Sequence, residues 1–216
     1  MPLLKNKIAV VTGGSSGIGL ATAKRFAEEG AYVFIAGRRQ AELDRAVAEI
    51  GKNVTGVKTD ISKLDDLDRF YEAVAKKGKI DVIFAGAAFV EKVMTATVTP
   101  EHFDNTFNAN ARGTYFTGQK ALPYLNDGAS IILVASAGKN KGLPGRSTYS
   151  ATKAALPVIC PDVDQRTQGT EDQDQRVEPW RGRHANVRRP VPIQRGRGRS
   201  EKPDYCDDAS GTLGAP

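Results

Sequence analysis

The chain has little of what builds disulfide or metal scaffolds. Its 216 residues include two cysteines, Cys160 and Cys206, both in the last third, and two histidines, His102 and His184. That inventory excludes a disulfide framework and a cysteine-histidine metal cluster as organisers of the fold. Long apolar runs are also missing. None approaches the roughly 20 residues that a membrane helix needs, and the opening Met1-Pro2-Leu3-Leu4-Lys5-Asn6-Lys7 has no apolar signal core. The expectation is a soluble cytoplasmic protein with no membrane partner.

Acid is in mild deficit: 31 Lys and Arg against 25 Asp and Glu, a net charge of +6. The excess lies entirely in residues 1–156, with 21 basic against 15 acidic residues, because 157–216 carry ten of each. A modest positive balance suits an anionic ligand such as a phosphorylated cofactor. The tract Arg195-Gly196-Arg197-Gly198-Arg199 has the composition of an RNA-binding segment. It sits in a neutral stretch with scarcely any aromatic residue to stack on bases, so nucleic acid is disfavoured as a partner.

What is present is a strict alternation of apolar runs and amphipathic stretches. Ile8–Val11, Tyr32–Ala36, Val54–Val57, Asp81–Ala85 and Ile131–Val134 read as buried strands. Residues 17–29, 40–50 and 63–76 read as helices, 100–125 as one long helical stretch opened by Pro100, and a further helix starts near Ser147. Strand, helix, strand without hairpin signals predicts a doubly wound α/β fold with a parallel sheet.

The first strand runs into Thr12-Gly13-Gly14-Ser15-Ser16-Gly17-Ile18-Gly19 and then a helix. A strand, a glycine-rich turn and a helix start together form a phosphate-binding device. Gly13 and Gly17 admit backbone angles barred to other residues, Gly19 permits close packing of helix on strand, and the helix N-terminus offers free N–H groups. Gly13, Ser15, Ser16, Gly17, Ile18 and Gly19 are therefore candidate cofactor contacts. The second strand ends at Gly37-Arg38-Arg39. An acidic residue there would bind a ribose 2′-hydroxyl, whereas arginine accommodates a 2′-phosphate. NADP is favoured over NAD, with Arg38 as the candidate; one arginine of the pair would merely start a solvated helix. Asp60, after the third strand, is a candidate partner for an adenine amino group, or a turn residue.

Tyr149 and Lys153 stand four apart on the expected helix and so share a face. A free phenol has a pKa of about 10, and a neighbouring ammonium lowers it, which makes a usable acid/base. Ser136, just beyond the fifth strand, could hydrogen-bond a substrate oxygen.

The Thr12–Gly19 turn, Asp60, Asn110-Ala111-Arg112-Gly113, Ser136 and the Tyr149/Lys153 pair, in this order and spacing, resemble the short-chain dehydrogenase/reductase family. The resemblance covers residues 5–156. It implies a Rossmann-type sheet, here truncated after the fifth or sixth element pair, and hydride transfer between a nicotinamide and an alcohol or carbonyl substrate. It further implies that Tyr149 moves the proton, that Lys153 holds the nicotinamide ribose and lowers the tyrosine pKa, that Ser136 orients the carbonyl, and that Asn110 anchors a relay water. A non-catalytic NAD(P)-binding protein is the alternative. One departure stands out: Gly86-Ala87-Ala88 follows the fourth strand, where the family has Asn-Ala-Gly.

After Leu156 the sequence changes character. Pro157 and Pro161 interrupt the expected helix, and the remainder is rich in Arg, Gln, Asp, Gly and Pro without apolar period. The expectation is an incomplete dinucleotide-binding and catalytic domain over 1–156 and a disordered, non-native tail over 157–216. The tail fits a frameshift: read one nucleotide on, Gln168 and Gln173 each force Lys or Arg, Trp180 before Arg181 forces Gly, and the permitted string ends Ser-Pro-Gly. The family's homo-oligomer interface would lie in the part that this frame does not encode.

Overall fold

A computed structural model describes residues 2–140 and 142–159. The tail expected from residue 157 lies, past Ile159, outside the described residues. Five strands, β1 Ile8–Thr12, β2 Tyr32–Gly37, β3 Val54–Lys58, β4 Ile80–Ala85 and β5 Leu125–Leu133, form one parallel sheet in the order β3-β2-β1-β4-β5. Helices α1 Gly17–Glu28, α2 Gln40–Ile50, α3 Leu64–Ala75, α4 Pro100–Phe107, α5 Gly113–Ala121 and α6 Ser147–Ile159 connect or follow them. This is the Rossmann-type architecture that the alternation predicts.

The period of two in the strands places the cores. Val10, Phe34 and Ile83 point to one face and pack against Phe70 and Tyr71 of α3 and Ala121 of α5. Ala9, Val11, Val33 and Ile35 point to the other and pack against Ala23 and Ala27 of α1 and Leu43 of α2. A sheet buried on both faces needs apolar side chains at every position, which is why the strands read as continuous rather than alternating runs.

Three elements differ from the expectation. The long helical stretch is not uniform: between α4 and α5, residues Asn108–Arg112 form a π-helical turn in which the Gly113 N–H reaches back to the Asn108 carbonyl. The fifth strand begins at Leu125, six residues before the apolar run. Leu125 pairs with Ile80, and the ladder then jumps to Ser130 opposite Val82. Asn126–Ala129 bulge out, with Gly128 at φ +73°, and a bulge carries no apolar signature. Helix α6, expected to be interrupted at Pro157, continues through it to Ile159. Proline's missing N–H removes one bond of the ladder, here in the last turn.

Candidate active site

All five strands are parallel, so their C-terminal ends lie along one edge. Every candidate site residue comes from a loop or helix that follows this edge. The turn after β1 is built by close approach. A Cβ on Gly19 would lie 2.2 Å from the Gly13 carbonyl oxygen, so only glycine lets α1 start this near the strand. Gly17, at φ +54°, is different: nothing stands within 4 Å of the place a Cβ would occupy. Ser16 is the N-cap of α1, but its side chain makes no capping bond, and Ile18 behind it is exposed. The turn therefore presents an open space in front of a helix N-terminus, a fit for a phosphate group.

A cleft of about 180 Å³ opens beside it, bounded by Ser15, Ser16, Arg38, Asp60 and Phe89 among others. A second, of about 290 Å³, shares Arg38, Asp60, Phe89 and Ala109 with the first and extends to Asn108 and Arg112. The two arginines after β2 both line the first cleft but differ in their contacts. Arg39 caps α2 and pairs with Glu42 at 3.9 Å. Arg38 is exposed, lines both clefts and makes no hydrogen bond or ion pair among the described residues. Asp60 closes a turn: its Oδ1 accepts from the Ser62 N–H at 3.0 Å and the Ser62 hydroxyl at 2.7 Å, while it also lines the clefts.

The departure at Gly86 falls at a tightly packed spot. A Cβ there would meet the Phe84 ring at 2.6 Å and the Thr12 carbonyl oxygen at 3.1 Å. A side chain here would require the half-buried Phe84 ring at the end of β4 to shift. The ends of β1 and β4 are joined instead by the Gly86 and Ala87 N–H groups, which donate to the Thr12 carbonyl (3.2 Å) and hydroxyl (3.3 Å).

Beyond β5, Ser136 caps a short turn, its Oγ accepting from the Gly138 N–H at 3.1 Å. With a lone pair so occupied, the hydroxyl proton remains to donate. Tyr149 and Lys153 lie on one face of α6, as their spacing requires. The Lys153 Nζ stands 5.9 Å from the Tyr149 ring centroid and donates to the Val134 carbonyl at 2.7 Å. Lys153 is 2% exposed, and burial pushes its pKa below the ordinary lysine value. Among the described residues, no group of three His, Cys, Asp or Glu side chains is placed to hold a metal ion.

Asn110 is fully buried in the π-helical turn. Its Oδ1 accepts from the Phe89 N–H at 2.7 Å, and its Nδ2 donates to the Phe89 carbonyl at 2.8 Å and to Thr152 Oγ1 at 3.3 Å. Both amide protons and one lone pair are thus committed. A relay water on Asn110 would have to use the remaining lone pair or the backbone carbonyl. Sequence reasoning did not single out Phe89, Thr152, Gly138 or Val134. Phe89 and Val134 enter through backbone atoms, which leave no mark in the side-chain pattern.

Comparison with known proteins places this geometry. Residues 7–168 match the pattern of the family described as short chain dehydrogenase. An oxidoreductase of Sarocladium schorii is 47% identical over 156 residues, 71% of this chain and 63% of the relative. A trihydroxynaphthalene reductase of Pestalotiopsis fici is 32% identical over 169 residues, 74% of this chain and 60% of the relative. The chain spans less than two thirds of the length of these relatives. Among solved structures, a 3-ketoacyl-(acyl-carrier-protein) reductase from Brucella melitensis complexed with NADH superimposes with a TM-score of 0.69 at 34% identity, covering 74% of this chain and 69% of that one. Among the described residues no helix is long and apolar enough to cross a membrane.

Proposed function

Because the chain belongs to the short-chain dehydrogenase family, we propose that it is an NADP-dependent oxidoreductase acting on an alcohol or carbonyl substrate. The observation that carries the reading is the pairing of Tyr149 with the buried Lys153 on the carboxyl edge that also holds the two clefts. When bound, the nicotinamide supplies or accepts the hydride. The chain's own residues do the rest. The open turn at Gly17 and the α1 N-terminus receive the pyrophosphate. Arg38, which lines both clefts and makes no ion pair among the described residues, receives the 2′-phosphate. Ser136 donates its free proton to the substrate oxygen, and the Tyr149 hydroxyl gives that oxygen a proton in reduction or takes one in oxidation. Lys153 is held beside the phenol by the Val134 carbonyl, its Nζ 5.9 Å from the ring centroid.

The test is titration of the purified chain with NADPH and NADH, followed by nicotinamide fluorescence, and then NADPH oxidation against a panel of ketones and quinones. The expected result is preferential NADPH uptake with turnover. In Arg38→Asp the preference should move toward NADH by at least about tenfold, the scale of one charge-assisted hydrogen bond exchanged for repulsion. Uptake of neither nucleotide would sink the proposal. Uptake without turnover of any carbonyl would favour a non-catalytic NAD(P)-binding protein.

A further inference from the structure

Thr152 is fully buried, one residue before Lys153, and has no place in the chemistry proposed above. Its Oγ1 nevertheless makes two bonds. It donates to the Tyr149 carbonyl at 2.7 Å and accepts from the Asn110 Nδ2 at 3.3 Å. Asn110 in turn grips both backbone groups of Phe89, and Phe89 lines both clefts. A continuous hydrogen-bonded line therefore runs from the cleft wall, through the π-helical turn, to the turn of α6 that carries Tyr149 and Lys153.

We propose that Thr152 is a positioning residue that couples the cleft wall at Phe89, through Asn110, to the Tyr149/Lys153 turn, so that nucleotide in the cleft orders the acid/base pair. The proposal rests on the functional reading above. An isolated Thr hydroxyl that bonds back to its own helix needs no outside donor. Here the outside donor is the second proton of an amide already spent on the loop, so that neither Asn110 nor Thr152 can turn without leaving a buried polar group unpaired. In the folded chain the line has a single satisfied arrangement, and a contact that presses on Phe89 is felt at Tyr149.

The test is amide hydrogen exchange on the full chain with and without NADPH, in the unmodified protein, Thr152→Val and Thr152→Ser. Valine keeps the shape and removes the hydroxyl; serine keeps the hydroxyl. In the unmodified chain NADPH should slow exchange over residues 147–156. In Thr152→Val, NADPH affinity should hold while that slowing shrinks about tenfold, the effect of one buried hydrogen bond on a local opening. Thr152→Ser should restore it. A merely structural role would raise exchange everywhere, α1 and α2 included, rather than along this line alone. Equal NADPH-induced slowing in Thr152→Val and the unmodified chain overturns the coupling. Should the chain take up no NADPH, the functional reading fails on its own account. The coupling is then read without nucleotide, from the Phe89 amide, which Thr152→Val should expose and Thr152→Ser should not; no difference overturns it. Should Thr152→Val not fold, the Asn110 Nδ2 protons of the unmodified chain decide: slow exchange supports the line, and exchange at the rate of a free side-chain amide overturns it.

Discussion

Glycines that look alike in the turn after β1 do different work. Gly19 is fixed by contact, since a methyl group would overlap the Gly13 carbonyl. Gly17 is fixed by its backbone angle alone, with open space around it. Gly19→Ala should therefore destabilise the fold by about 2 kcal/mol or more, the range of overpacking that backbone must absorb. Gly17→Ala should cost only about 1 kcal/mol, the strain of a left-handed non-glycine residue, yet still weaken NADPH binding by placing a methyl group where phosphate would lie. Urea melts set against nucleotide titrations check the pair, and equal stability losses would contradict the assignment. The sequence showed that both are glycine. The sequence reading already assigns the backbone angle to Gly17 and the close packing to Gly19; the structure adds that a Cβ on Gly19 would lie 2.2 Å from the Gly13 carbonyl oxygen. Arg38 is the sequence's candidate of the two arginines; the structure adds that Arg39 stands 3.9 Å from Glu42, one helical turn away.

Among the elements, β5 was the hardest to read, and the cause is one carboxylate. Asp81, near the start of β4, accepts from the Ile8 N–H at 2.9 Å, from Lys7 Nζ at 3.0 Å and from Asn126 Nδ2 at 3.0 Å. It ties the beginnings of β1 and β5 to β4, with the register shift at its own position. Burial pushes its pKa up, but the Ile8 N–H, Lys7 and Asn126 outweigh that and hold it below the ordinary 3.8. The native state thus binds fewer protons than the unfolded chain between the two values. The Asp81 contribution is complete above about pH 5 and is lost as the pH falls through the folded value. Asp81→Asn should lower the urea midpoint near neutrality and flatten its decline on acidification. An acid slope unchanged from the parent chain would refute the role. The sequence reading placed Asp81 in a strand. Its partners come from segments 73 and 45 residues away, a separation that local periodicity does not cross. The π-helical turn that breaks the long helix escaped for a similar reason: it is a single widened turn, Asn108–Arg112, between two ordinary helices.

At the scale of the molecule, one sheet divides two cores. Ile83 of β4 faces α3 and α5, and Ile35 of β2 faces α1 and α2; both are fully buried. Ile83→Val and Ile35→Val should each cost about 1 kcal/mol, and the double variant should lose the sum within about 0.5 kcal/mol, because the sheet separates the two sites. A single urea transition should persist in all three. Two separated transitions would show that the cores fold apart. The sequence by itself determined the parallel α/β architecture, the glycine-rich turn between β1 and α1 and the shared helix face of Tyr149 and Lys153, because each follows from periodicity or from spacing within one element. Tertiary structure alone decided that Asn110 spends its amide on Phe89 and Thr152, that Arg39 stands against Glu42 while Arg38 lines both clefts, and that Lys153 is buried on the Val134 carbonyl. Each of these depends on which atoms meet across the sheet and its loops, and much of that contact is made by backbone groups that every residue carries.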